Sequence, residues 1–212
     1  MKTLYTGGEA EIVEKKSRFI ATIRPVSSEE EAVLFINEMK KKYWDAKHNC
    51  SAFVIGDRQE ISRCSDDGEP AQTAGRPMLD ILLREEIHNA AVVVTRYFGG
   101  VLLGTGGLVR AYQKATQEGL NASTIIDKRR GRKLSVAIDY TGLGKLQYLI
   151  AQKNLTLTDT VYTEKVELKL MVPSELQGET EREIIEATSG NAQICWEKEV
   201  LYAMIGKKIE IF

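Results

Sequence analysis

RCSDDGEPAQTAGRPMLDILLREEIHNAAVVVTRYFGGVLLGTGGLVRAY, residues 63–112, sets an acidic cluster, a turn, an amphipathic helix, a buried strand, a glycine-rich loop and a second helix start in succession, with almost no spacer. Pro77 suits the first turn of the first helix. Met78, Leu79, Ile81, Leu82 and Leu83 supply its core face, and His88-Asn89 end it. The run from Ala90 to Thr95 is nearly all apolar, which predicts a strand buried on both faces. Five glycines follow within nine residues: Gly99, Gly100, Gly104, Gly106 and Gly107, flanked by Arg96 and Arg110. Such a density of glycine costs backbone entropy, so it marks tight turning or close approach to another group. The helix after it is predicted over 108–122, with Leu108, Ala111, Tyr112, Ala115 and Leu120 inward.

Upstream, residues 11–26 read as a strand. Ser28 is the expected N-cap of a helix reaching Tyr43, with Glu29, Glu30 and Glu31 at its positive end and Lys40, Lys41 and Lys42 at its negative end. His48, Cys50, Ala52 and Val54 then alternate along a strand, and 60–64 returns as its hairpin partner. Downstream, Lys128-Arg129-Arg130-Gly131-Arg132 reads as a basic, turn-like linker, dividing the chain into domains 1–130 and 133–212. The second domain shows strand 133–140, helix 142–153, strands 156–162 and 165–172, a helix to 188 and strand 192–199, then a further strand or tail over 201–212. That βαββαβ order is the ferredoxin-like plan. The expected class is α+β.

With 212 residues, 43% hydrophobic and 28% charged, the chain has the composition of a soluble globular protein with a sizeable core. Its net charge of −1 excludes bulk electrostatic attraction to nucleic acid. The halves differ: 20 basic against 18 acidic residues over 1–132, and 9 against 12 over 133–212. Cys50, Cys64 and Cys195 are odd in number and form no CxxC, which points to reduced thiols half-buried in strands rather than a disulfide framework or zinc site. The N-terminus has no signal-peptide apolar segment, and no apolar run approaches the roughly 20 residues of a membrane helix. A cytoplasmic location without membrane contact is expected.

The glycine loop has two physical readings. Its amides can cradle phosphate at the N-terminus of the following helix, or its glycines can let a tight loop pack on the sheet. The pattern is neither GxxxxGK[ST] nor a clean GxGxxG, so a nucleotide-hydrolysing loop is not indicated. Arg96 and Arg110 favour phosphate recognition, with Lys47 and Lys114 as further cations. Tyr97 offers a face to a base or closes the strand as a core residue. Asp66, Asp67 and Glu69 either form an acidic turn or, with His48, a metal-assisted hydrolytic site. No nucleophile–base pair or GxSxG elbow occurs, so a non-catalytic protein without a cofactor is expected.

SDDGEP at 65–70, TAG at 73–75, Pro77, VVVTRYFGG at 92–100 and LGTGGLVRAY at 103–112 resemble the IMPACT/YigZ family, and the resemblance spans essentially the whole chain. Gln72 departs from the glycine expected before TAG. The resemblance implies an N-terminal two-layer α/β sandwich like the second domain of a small-subunit ribosomal protein. It also implies a C-terminal domain like the ferredoxin-like domain V of elongation factor G. Eukaryotic relatives regulate translation by preventing activation of an initiation-factor kinase, through an additional domain. By this analogy the expected partner is RNA or the ribosome, with a translation factor or kinase as the protein-interaction alternative.

Overall fold

The structure, a computed structural model, describes residues 1–206 and 208–212. It contains two compact units, Met1–Asp127 and Lys128–Phe212, each with its own core.

The first unit comprises β1 (Lys2–Thr6), β2 (Glu9–Glu14), β3 (Ser17–Pro25), α1 (Glu29–Lys42), β4 (His48–Ile55), β5 (Ile61–Ser65), α2 (Gly75–Arg84), β6 (Ile87–His88), β7 (Ala90–Tyr97), α3 (Thr105–Asn121) and β8 (Thr124–Asp127). Its main sheet has the order β2-β3-β7-β4-β5 and is antiparallel throughout. β7 is central, which is why its sequence is apolar on both sides. Val92 and Val94 face one core with Phe19, Ala21, Cys50, Ala52 and residues of α2 and α3. Ala91 and Val93 face the other core with Phe53 and with Ala32, Phe35 and Met39 of α1. A small second sheet, β6-β1-β8, completes the unit.

Ser28 caps α1 as expected, its side chain accepting the Glu31 N–H. The single strand expected over 11–26 is instead a hairpin. Glu14 pairs with Ser17, and Lys15 and Lys16 turn the chain with φ of 45° and 69°. Two-residue hairpins with positive φ at both positions usually carry Asn-Gly, so Lys-Lys gives no turn signal. α2 stops at Arg84, and His88 lies in β6. α3 begins at Thr105 rather than Leu108, which puts Gly106 and Gly107 inside a helix.

The second unit comprises β9 (Arg129–Ile138), α4 (Tyr140–Gln152), β10 (Thr156–Tyr162), β11 (Val166–Pro173), α5 (Gln177–Ala187), β12 (Gln193–Ile205) and β13 (Lys208–Ile211). The antiparallel sheet has the order β10-β11-β9-β12-β13. Without β13 this is the ferredoxin-like arrangement, with the first and third strands of βαββαβ in the middle. Leu134, Val136, Ile138, Val166, Leu168, Leu170 and Val172 pack one face against Leu146, Ile150 and Ile184 of the two helices. The basic stretch expected as a linker is strand: Arg129 to Arg132 pair with Tyr202 to Glu199. Of the three cysteines, Cys50 is buried while Cys64 and Cys195 are exposed, unlike the common half-burial expected of them.

Candidate nucleic-acid interface

The acidic stretch after β5 is a structural turn. Asp66 accepts the N–H groups of Ala74 and Gly75 on Oδ1, at 3.0 and 2.8 Å, and that of Gln72 on Oδ2 at 2.7 Å. One carboxylate thus anchors the entry to α2, whose N-cap residue, Ala74, makes no side-chain cap. Gln72 sits at φ 63°, the left-handed conformation for which glycine is suited. Asp67 accepts the Asn49 N–H at 2.7 Å and the Lys40 ammonium at 2.6 Å. His48 donates from Nδ1 to the Asp67 carbonyl at 2.9 Å. Among the described residues no group of three or more His, Cys, Asp or Glu is placed to hold a metal ion. The oxygens of Asp66, Asp67 and Glu69 accept from backbone amides, Lys40, Arg96 and Tyr112.

Glu69 and Arg96 form a buried ion pair at 2.6 Å, with side-chain exposures of 3% and 8%. Tyr112 of α3 donates its hydroxyl to the same carboxylate oxygen at 2.9 Å. The Cys50 sulfur lies 3.3 Å from that hydroxyl and 3.0 Å from the Asp66 carbonyl oxygen. Burial pushes the Cys50 thiol up to about 12 and the Tyr112 phenol upward as well, which favours the protonated form of both at neutral pH. The expectation that Arg96 reaches a polyanion is therefore corrected. Strand alternation turns it to the same side as Val94, over the Phe19 ring, where Glu69 neutralises it. Tyr97 alternates to the opposite side. Its hydroxyl donates to Asp45 at 2.8 Å and the Arg18 guanidinium lies 5.5 Å from its ring centroid.

The five loop glycines divide into two kinds. Gly99 packs on the β2–β3 hairpin: a Cβ there would lie 2.0 Å from the Lys16 carbonyl carbon, and its N–H donates to Ser17 Oγ at 3.1 Å. A Cβ at Gly107 would come within 2.9 Å of Leu103. By contrast, Gly100 and Gly104 adopt φ of 82° and 73° with nothing around them. Gly106 would meet only the Arg110 guanidinium, at 3.6 Å. The packing reading thus holds for Gly99 and Gly107, while Gly100 and Gly104 leave the loop surface open. Gly99→Ala is expected to lower stability by about 2–3 kcal/mol through overpacking against backbone. Gly100→Ala is expected to lower it by about 1 kcal/mol, the left-handed penalty alone. Urea melts of the two variants check the contrast.

Beside the loop, between the hairpin tip and α3, lies a groove of about 230 Å³ lined by Glu14, Lys15, Leu103, Gly107, Arg110, Ala111 and Lys114. α3 starts without a side-chain cap, so its first-turn N–H groups and positive dipole end are open to an anion. Lys15, Arg110 and Lys114 are exposed and make no ion pair among the described residues. Of the cations expected at the site, Arg110 and Lys114 meet here, whereas Arg96, Lys47 and Tyr97 do not line the groove. Lys15 was not legible as a site residue because the hairpin that presents it carries no turn signal. No helix among the described residues is long and apolar enough to cross a membrane.

Comparison with known proteins places this geometry in context. Residues 15–120 match the Impact N-terminal domain, and residues 136–191 match a domain of unknown function, DUF1949. The chain is 42% identical over 192 residues to IMPACT family member YvyE of Bacillus subtilis (strain 168), covering 91% of this chain and 88% of that protein. It is 34% identical over 183 residues to IMPACT family member YigZ of Escherichia coli (strain K12), covering 85% and 89%. Protein IMPACT of Mus musculus is 37% identical over 98 residues, which cover 44% of this chain and 30% of that one. A crystal structure of a hypothetical protein superposes with a TM-score of 0.58 at 31% identity, covering 93% of this chain and 97% of that chain.

Proposed function

The chain belongs to the IMPACT family, and on that premise we propose that it is a non-catalytic cytoplasmic protein that contacts RNA or the ribosome and modulates translation. The observation that carries the reading is the groove in which Lys15 of the hairpin tip meets Arg110 and Lys114 on one face of α3, with Gly107 of its uncapped first turn at the rim. Three cations without carboxylate partners, beside uncapped amides, suit phosphate. Glu14 on the same rim and the net charge of −1 keep the attraction local and the affinity modest. A second reading, a protein-interaction module acting on a translation factor, is supported by the exposed apolar loop of Phe98, Val101 and Leu102, at 57%, 42% and 82% exposure.

Sedimentation with ribosomes tests the first reading. At low salt the wild-type protein is expected in the ribosome pellet, and the Arg110→Glu/Lys114→Glu variant in the supernatant. Pelleting of that folded variant at the wild-type level would remove the groove from the account and favour the apolar loop.

A further inference from the structure

The proposed phosphate groove needs only its cations, but the surface beside it carries features that a phosphate site does not need. The strand registers Arg18↔Tyr97 and His48↔Arg96 bring the start of β3, the start of β4 and the end of β7 to one end of the sheet. The Lys15–Lys16 turn, the loop after Tyr97 and the α1–β4 connection all meet at that end. The Tyr97–Asp45 hydrogen bond ties the connection down, and Gly99 rests on the Lys16 backbone. In that connection Trp44 is 82% exposed, and in the loop Phe98 is 57% exposed. Two ion-paired cations pack on aromatic rings: Arg18, held by Glu11, lies over Tyr97, and Lys42, held by Glu9, over Tyr43 at 4.8 Å. Lys16, Lys41 and Lys47 are exposed and have no ion pair among the described residues. Asp45, the acid in the middle of the patch, accepts the Tyr97 hydroxyl.

An indole left this open contributes nothing to the core, and at a charged edge it offers a flat apolar face at low conformational cost. In a duplex the bases are stacked on each other and their faces are closed. Only an unpaired base can cover such a ring. Resting on the proposed contact with RNA, we infer that this end of the first unit binds single-stranded RNA. Trp44 and Phe98 are the stacking platforms. Lys16 and Lys47 line the path of the backbone, which continues past Lys15 to Arg110 and Lys114. The aromatic platform supplies the preference for unpaired bases, and the groove supplies the charge.

Intrinsic fluorescence isolates the platform, because the chain has two tryptophans, Trp44 and Trp196. In a Trp196→Phe background, a single-stranded 12-mer of uridylate is expected to quench the remaining emission saturably at low salt, and a 12-base-pair RNA duplex is not. Trp44→Ala in the otherwise unchanged chain is expected to weaken oligouridylate binding, measured by anisotropy, by about tenfold or more, the effect of one base stack. Trp44→Phe should restore part of it. Unchanged affinity in folded Trp44→Ala, or equal affinity for duplex and single strand without quenching, would overturn the inference. If Arg110→Glu/Lys114→Glu still abolished duplex binding in that case, the phosphate groove would stand without the platform. Absence of any RNA binding by the wild-type chain would remove both.

Discussion

Glu69→Ala is expected to destabilise the first unit by about 3–5 kcal/mol, the usual effect of removing one partner from a buried ion pair. The carboxylate is 3% exposed and is the acceptor for two groups that cannot turn to water, the Arg96 guanidinium and the Tyr112 hydroxyl. Without it, a full positive charge stays between the Phe19 and Phe98 rings. Arg96 Nε already lacks a hydrogen-bond partner, so the remaining guanidinium has nowhere to recover the loss. Replacing both residues, as Glu69→Met/Arg96→Met, is expected to return much of the stability, because no unpaired charge is left behind. A double-mutant cycle in urea separates the pair from its surroundings. A loss below about 1 kcal/mol for Glu69→Ala would mean that water reaches the pair.

Asp66→Ala is expected to have the next largest effect, about 3 kcal/mol, from three amide hydrogen bonds made to one charged acceptor. The N–H groups of Ala74 and Gly75 belong to buried residues, so water does not fully replace the carboxylate. Asp66→Asn keeps one acceptor oxygen and should lose about half as much. Hydrogen exchange should report faster exchange at Ala74 and Gly75 in Asp66→Ala, with the centre of β7 protected. Wild-type stability in Asp66→Ala, together with lost binding of magnesium or manganese seen by calorimetry, would return the carboxylates to a metal site.

Burial patterns were the most legible part of the sequence. The apolar run of β7, the capped helix α1 and the βαββαβ order of the second unit each follow from local propensity and alternation, and they fix the α+β class. The hairpin at Lys15–Lys16 was not legible, because its positive φ values are imposed by the pairing of β2 with β3 and not by residue type. The fate of Arg96 was not legible for a related reason. Its position at a strand end suggested a free side chain, yet its neutraliser, Glu69, lies 27 residues earlier in sequence and is delivered by the acidic turn. The same long-range fold made two kinds of glycine from one motif, since Gly99 meets the hairpin backbone whereas Gly100 sits at positive φ in open space. Arg110 and Lys114 stand four apart on one helix and so share a face, whereas the expected pairing of Arg110 with Arg96 depended on where the strand end turns.

The most direct test of the groove as a phosphate site is the salt dependence of RNA binding. Anisotropy of a labelled single-stranded oligonucleotide should give a linear fall of log K with log salt, with a slope set by on the order of 2–4 phosphate contacts at about −0.7 each. Arg110→Ala and Lys114→Ala should each make the slope shallower by about 0.7 while leaving the melting transition intact, since both side chains are exposed. A folded double variant with the wild-type affinity and the wild-type slope would contradict the account.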